Sequence, residues 1–196
     1  MRIAVFDFDG TIISKDSFLE FIIFSKGIRK FLFGFALLSP VILLFKLGIM
    51  NNGKAKQIVF SFFFKGDSLS KFNHYCSEFS ALIDKYMIED ALMAIQEHQR
   101  KGSTVLIVSA SIENWILPWA KKRGIDEVVA TKLDIDQNDC LNGRFLTPNC
   151  YGLEKKRRLL EAYPNRKEYS LFVYGDSKGD KALLDYADHS FLKNYK

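Results

Sequence analysis

The chain has 196 residues, of which 48% are hydrophobic and 26% charged, so one domain, or one domain with a modest insertion, is expected. The net charge is +5, and the basic residues are spread out rather than gathered in one stripe. This argues against nucleic acid as a partner and leaves an anionic substrate or an acidic membrane surface. Three cysteines without a C-x-x-C pair, and no visible secretory signal, favour a cytoplasmic protein with reduced thiols.

The first apolar run, residues 3–6, is short and partly β-branched, which predicts a buried parallel strand. It is followed by D-F-D-G-T, which begins at Asp7. Two carboxylates at alternate positions, Asp7 and Asp9, can point to the same side of a strand end. One then suits a nucleophile and the other handles the proton on a leaving oxygen. Gly10 permits a tight turn whose N–H groups can face a phosphate, although a plain Asp-Gly turn is the alternative.

Residues 16–87 hold most of the phenylalanines at helical spacing, which predicts a separate helical unit. Within it, residues 31–45 form fifteen consecutive uncharged positions interrupted by Pro40. That run is shorter than the roughly 18–20 apolar residues that cross a bilayer. We therefore expect Pro40 to split it into two short helices, either buried or lying on a surface.

From Glu89 onward helices and strands alternate. We predict a helix over 89–100, a strand over 104–108, a helix over 112–122, a strand over 128–130, a hairpin over 131–146, a helix over 153–162, a strand over 170–174 and a helix over 179–187. This alternation indicates an α/β fold with a doubly wound parallel sheet, a Rossmann-like core of residues 1–15 and 88–196, and an inserted α-helical unit of residues 16–87. Ligands of such sheets bind at the carboxyl ends of the strands.

Three more polar clusters fall at those ends. Ser109 stands where a strand meets a helix, a position suited to binding phosphate oxygens or simply to capping the helix. A basic run opens the helix over 153–162, and periodicity does not choose between Lys155 and Lys156 as the residue that reaches the site. Asp176, in G-D-S-K-G-D, can meet Asp7 and hold Mg²⁺, or serve as a helix N-cap.

Together these four pieces resemble the motifs of the haloacid dehalogenase superfamily, namely D-x-D-G-T, a strand-ending Ser, a Lys and G-D-S-x-x-D. The V-S-A-S around Ser109 and the C-x-G-x-x-K of residues 150–155 resemble its phosphoserine-phosphatase-like branch. The resemblance implies a Mg²⁺-dependent phosphatase in which Asp7 is nucleophile and metal ligand and passes through an aspartyl-phosphate. It implies that Asp9 is the general acid/base, with its backbone carbonyl on Mg²⁺.

The remaining roles follow from the same resemblance. The implied phosphate-binding residues are Gly10, Thr11, Ser109, Ala110 and Lys155. Asp176 is implied as a Mg²⁺ ligand, with Asp180 as a further ligand or its support. The helical unit then takes the place of the branch's cap, which covers the site.

Substrate specificity is expected to come from the cap. Phosphoserine phosphatases hold the amino acid with a Glu and an Arg; here Asp16 takes the acidic position and Arg29 is the only cap arginine. The apolar stretch resembles the cap of bacterial phosphatidylglycerophosphate phosphatases. With Lys26, Arg29, Lys30 and Lys46 around it, this stretch suggests a lipid phosphate as substrate and peripheral contact with the inner membrane surface. A small-metabolite phosphatase, a phosphotransferase and a membrane-associated binding protein are the alternatives.

Overall fold

The central layer of the fold is a five-stranded parallel sheet, seen in a computed structural model that describes residues 1–192. Its strands are β1 (Arg2–Phe6), β2 (Thr104–Ile112), β3 (Glu127–Thr131), β6 (Ser170–Gly175) and β7 (His189–Leu192), in the spatial order β3-β2-β1-β6-β7. The separate antiparallel hairpin consists of β4 (Leu133–Ile135) and β5 (Leu141–Phe145). The predicted doubly wound α/β core is confirmed.

The centre of this sheet determines where the site lies. β1 is buried because it pairs with β2 on one side and β6 on the other, with Phe6 in register with Ile107 and Tyr174. The residue after Phe6 therefore emerges between the ends of two neighbouring strands. That residue is Asp7.

Nine helices in residues 1–192 surround the sheet or lie beside it. They are α1 (Ser17–Lys26), α2 (Ile28–Leu37), α3 (Ser39–Lys46), α4 (Asn52–Phe64), α5 (Leu69–Ile83), α6 (Glu89–Arg100), α7 (Glu113–Lys122), α8 (Leu153–Ala162) and α9 (Lys181–Leu184). The predicted helix over 179–187 is wrong in length, since α9 is a single turn. It begins only after Asp180, whose carboxylate bonds back to the loop that follows β6, and the chain soon enters β7.

The apolar stretch forms two short helices, as predicted. α2 ends at Leu37, and α3 follows with Pro40 in its first turn, where the missing N–H of proline leaves no hydrogen bond unmade. Within residues 1–192 no single helix has the length and apolar composition to cross a bilayer. The pair α2–α3 meets that criterion only when taken together, and it is bent by 64°.

Buried phenylalanines of the helical unit form a cluster that packs onto α7. Phe21 on α1 stacks on Trp115 of α7 with 4.8 Å between ring centroids, and it also contacts Phe64 and Phe79. All four rings are buried in one cluster that continues under the sheet. Such continuous packing stabilises a fixed position of the helical unit next to the carboxyl end of β1.

Candidate active site

The site is centred on a buried lysine ammonium group that bonds to two carboxylates. The Lys155 Nζ, from the first turn of α8, donates to Asp7 Oδ1 and to Asp180 Oδ1, each at 2.6 Å. Burial raises the pKa of Asp7 to about 7, although the Lys155 ammonium opposes the rise. Burial alone would lower the pKa of Lys155, but Asp7 and Asp180 outweigh it and raise that pKa, so the side chain stays charged.

Three carboxylates here can hold a metal ion. One oxygen each from Asp7, Asp176 and Asp180 lies within 4.8 Å of the other two. Carboxylate oxygens suit a hard cation such as Mg²⁺, and Asp7 and Asp176 also border the cavity described below. Asp180 is held in place, because its Oδ2 accepts from the Asp176 and Ser177 amides and from the Ser177 hydroxyl.

Asp9 is held in one orientation by hydroxyl and amide donors. Its Oδ1 accepts from the Ser17 amide at 2.9 Å, and its Oδ2 accepts from the Ser111 hydroxyl. Ser17 Oγ lies 2.8 Å from Ser111 Oγ and accepts from the Trp115 indole at 3.1 Å. Burial and then Asp16 raise the pKa of Asp9. A carboxyl with a raised pKa can carry a proton at neutral pH.

The turn after Asp9 differs from the predicted phosphate nest. Gly10 has a φ of +78°, but its N–H donates to the Ile13 carbonyl at 2.7 Å and is therefore taken. An added Cβ at Gly10 would lie 2.4 Å from Asp176 Oδ2, so this glycine lets the two motifs approach. Thr11 is buried behind the turn.

Ser109 and Ala110 both border the cavity. The expected strand–helix junction at Ser109 is wrong, because β2 continues to Ile112 and α7 begins at Glu113 without a side-chain cap. The Ser109 hydroxyl is buried and accepts from the Ser111 amide at 3.1 Å. The Ala110 carbonyl accepts from Lys56 Nζ and from Thr131 Oγ1, each at 2.9 Å. Both residues are therefore near Asp7 and Asp9, and their predicted role with phosphate stays a prediction.

A cavity of about 410 Å³ opens above these groups, within the size range of ligand sites. Asp16 borders it, while its carboxylate also caps α1 by accepting from the Phe18 and Leu19 amides. Arg29 does not border the cavity. It is exposed at the start of α2, a helix that turns Phe31 and Phe35 inward instead.

Lys56 on α4 is a cavity residue that the sequence analysis missed. Its Nζ lies 5.0 Å from the centre of the Phe18 ring. Burial lowers its pKa, and Asp9 and Asp16 oppose that shift. The chain contains 28 Lys and Arg residues, and the sequence carries no signal that separates Lys56 from Lys54 in the same helix.

The site combines a carboxylate pair at the end of a central parallel strand, a buried lysine and a second acidic loop. These groups define a phosphohydrolase class of site. A sequence model of the haloacid dehalogenase-like hydrolases matches residues 4–185. The chain belongs to that family, and the resemblance seen in its motifs is confirmed.

Individual proteins are similar to the chain in sequence or in fold. The chain is 30% identical over 195 residues to Protein CicA of Caulobacter vibrioides strain NA1000 / CB15N, covering 99% of this chain and 86% of CicA. A protein of unknown function from Bordetella pertussis Tohama I has a similar fold, with a TM-score of 0.84, 18% identity and coverage of 96% and 88% of the two chains. A phosphoserine phosphatase in apo form aligns at a TM-score of 0.67 and 17% identity, with coverage of 96% and 84%.

Proposed function

We propose that the protein is a Mg²⁺-dependent phosphomonoester hydrolase that works through an aspartyl-phosphate on Asp7. The observation that carries the proposal is a cluster of charged side chains. Lys155 Nζ lies 2.6 Å from Asp7 Oδ1 and from Asp180 Oδ1, and Asp176 belongs to the same cluster of carboxylates. Family membership supports the hydrolase class, and the acidic cluster supports the cation. Bound Mg²⁺ would neutralise charge between the carboxylates and a phosphate dianion.

The chemistry divides between the two carboxylates of the first motif. Asp7 attacks phosphorus, so that an Asp7 O–P bond forms while the bond from phosphorus to the leaving oxygen breaks. Asp9 gives that oxygen its proton, which is consistent with a raised pKa. A water molecule then loses a proton to Asp9 and attacks phosphorus, which releases inorganic phosphate and restores Asp7. Lys155 offsets the negative charge throughout.

The cavity wall supports a substrate with an apolar part. Besides the carboxylates, the lining includes eight apolar cap residues, namely Phe18, Leu19, Phe35, Val41, Ile42, Phe45, Ala55 and Val59. Asp16 and Lys56 are the charged cap residues in residues 1–192 that border the same space. Apolar surface of this extent favours a phosphate ester that carries a hydrocarbon group, and a lipid phosphate is the proposed class.

A small zwitterionic phosphate is the second candidate substrate, because Asp16 and Lys56 offer a carboxylate and an ammonium group on the cap side of the cavity. Asp16 would hold an amine and Lys56 a carboxylate. Transfer of the phosphoryl group to an alcohol instead of water is the enzymatic alternative. Phosphate release without an added acceptor separates hydrolysis from transfer.

The test is a substrate panel run with purified protein. Phosphatidylglycerophosphate, phosphoserine, sugar phosphates and nucleotides are compared with Mg²⁺, and again with excess chelator. The proposal expects Mg²⁺-dependent phosphate release and the highest kcat/KM on the lipid. Full activity in chelator would refute the metal role, whereas preference for phosphoserine would refute the lipid class only.

A further inference from the structure

Helices α2 and α3 have two different faces. Phe31, Phe35 and Leu38 point inward and pack against the buried cluster that joins the cap to the sheet. The opposite side of the two helices and the turn after α3 leave large apolar side chains in solvent; they are Ile28, Leu32, Phe33, Leu37, Leu43, Leu44, Phe45, Leu47 and Ile49. We call these nine residues the outer face. Phe33 is 65% exposed and Ile49 is 71% exposed, although solvated positions normally hold polar side chains.

The charges around the outer face have one sign. Residues 21–66 contain seven Lys and Arg and no Asp or Glu. Arg29, Lys30 and Lys46 are exposed beside the apolar side chains, and no carboxylate within residues 1–192 forms an ion pair with them. Lys26, expected in the same group, is instead paired with Asp67 and lies 4.9 Å from the centre of the Phe64 ring.

We propose that the outer face docks on an anionic lipid bilayer, with α2 and α3 lying in the interface. An apolar surface bordered by unpaired cations has the chemistry of an interfacial helix, whose apolar side enters the acyl boundary while its cations meet anionic headgroups. α2 has ten residues and α3 has eight. They are about 15 Å and 12 Å long, and each is too short for a hydrocarbon layer of roughly 30 Å.

Docking in this way would bring the cavity to the lipid surface. Phe35, Ile42 and Phe45 border the cavity from the same two helices that carry the outer face. Phe45 is also 40% exposed, so one side chain reaches both the cavity and solvent. The docking surface does not depend on the proposed chemistry, and binding can be measured without turnover.

The experiment is flotation of the whole protein with phosphatidylcholine vesicles made with or without phosphatidylglycerol. Two double variants test the two parts of the surface: Phe33→Ser with Leu43→Ser for its apolar part, and Lys30→Glu with Lys46→Glu for its charge. Matched controls alter exposed residues elsewhere, namely Met93→Ser with Leu146→Ser and Lys85→Glu with Lys167→Glu. Thermal unfolding and hydrolysis of p-nitrophenyl phosphate establish that each variant is folded.

We expect the unaltered protein and both controls to float with phosphatidylglycerol vesicles, less so at high salt. Each test variant should bind about 100-fold more weakly while it still hydrolyses p-nitrophenyl phosphate. Failure of the unaltered protein to bind, or equal binding by all variants, would overturn the proposal. A dimer in light scattering that Phe33→Ser with Leu43→Ser dissociates, without vesicle binding, would also overturn it and assign the outer face to a second copy.

Discussion

At the scale of single residues, the position of one lysine decides how charge is arranged in the site. Lys155 is 2% exposed and bridges two carboxylates, whereas the next residue, Lys156, turns away and lies 4.2 Å from the centre of the Tyr186 ring. Successive residues on a helix point about 100° apart, so only one of the two can face the strand ends. The geometry therefore favours Lys155 as the residue that stabilises charge on the phosphoryl group.

We predict that Lys155→Ala lowers kcat/KM by about 10²- to 10³-fold, as expected for the loss of a fixed group that stabilises the transition state. Lys156→Ala should change kcat/KM by less than about twofold, because its side chain packs on a surface ring. Steady-state kinetics on p-nitrophenyl phosphate measure both, and circular dichroism checks that Lys155→Ala is folded. Equal losses in the two variants would contradict the assignment.

Asp9 permits a second prediction at this scale. Asp9→Asn keeps the shape of the side chain and its contact with Ser17 but removes the proton that the leaving oxygen needs, so turnover should fall by roughly 10²–10⁴-fold. The loss should be largest on alkyl phosphates, because p-nitrophenolate leaves without a proton. Rates on both kinds of ester measure the difference. The same loss on both would mean that Asp9 positions other groups instead.

At the scale of secondary structure, the sequence predicts the strands and helices of the sheet region better than it predicts which cap side chains reach the cavity. The run after Met1 predicts β1 because a strand buried on both sides reads as continuous apolar sequence, and Asp7 follows from it. Asp176 also lies directly after a strand, β6. Lys56 lies in the middle of α4 and reaches the cavity only through tertiary packing of phenylalanines. The prediction that Arg29 contacts the substrate is wrong for the same reason, because packing sets the orientation of α2 and leaves Arg29 outside the cavity.

α4 therefore yields its own prediction. Lys56→Ala should raise KM by about tenfold, since it removes a cation that faces the anionic substrate within a partly closed cavity. Lys54→Ala is the matched control, because Lys54 is exposed on the same helix. Initial rates over a range of substrate concentrations give KM and kcat separately. A similar KM for both variants would show that α4 does not contact the substrate.

At the scale of the whole molecule, the proposed metal site links residues that are far apart in sequence. Asp7 follows the first strand, whereas Asp176 and Asp180 follow β6, which pairs with β1. Clustered carboxylates repel one another, so a bound divalent cation should stabilise the folded state over the unfolded chain. Ligand binding is then visible in the melting temperature as well as in activity.

We predict that Mg²⁺ at about 100 times its Kd raises Tm by roughly 5–10 °C. Asp176→Asn should abolish the rise, because it removes one charged ligand. Asp185→Asn should keep it, because Asp185 is exposed and pairs with Lys181. Differential scanning fluorimetry with and without Mg²⁺ measures the shift. A Tm that does not respond to Mg²⁺, or responds equally in Asp176→Asn, would contradict the proposed metal site.

The most direct test of Asp7 as the nucleophile is to trap the phosphoryl group on the enzyme. The protein is mixed with substrate and Mg²⁺, quenched within a turnover and treated with borohydride, which reduces an aspartyl-phosphate to homoserine. Peptide mass spectrometry then locates the change. If Asp7 is the nucleophile, we expect homoserine at position 7 in the unaltered protein and none in Asp7→Asn, which should also be inactive. Homoserine at position 9, or rapid turnover by Asp7→Asn, would contradict Asp7 as the nucleophile.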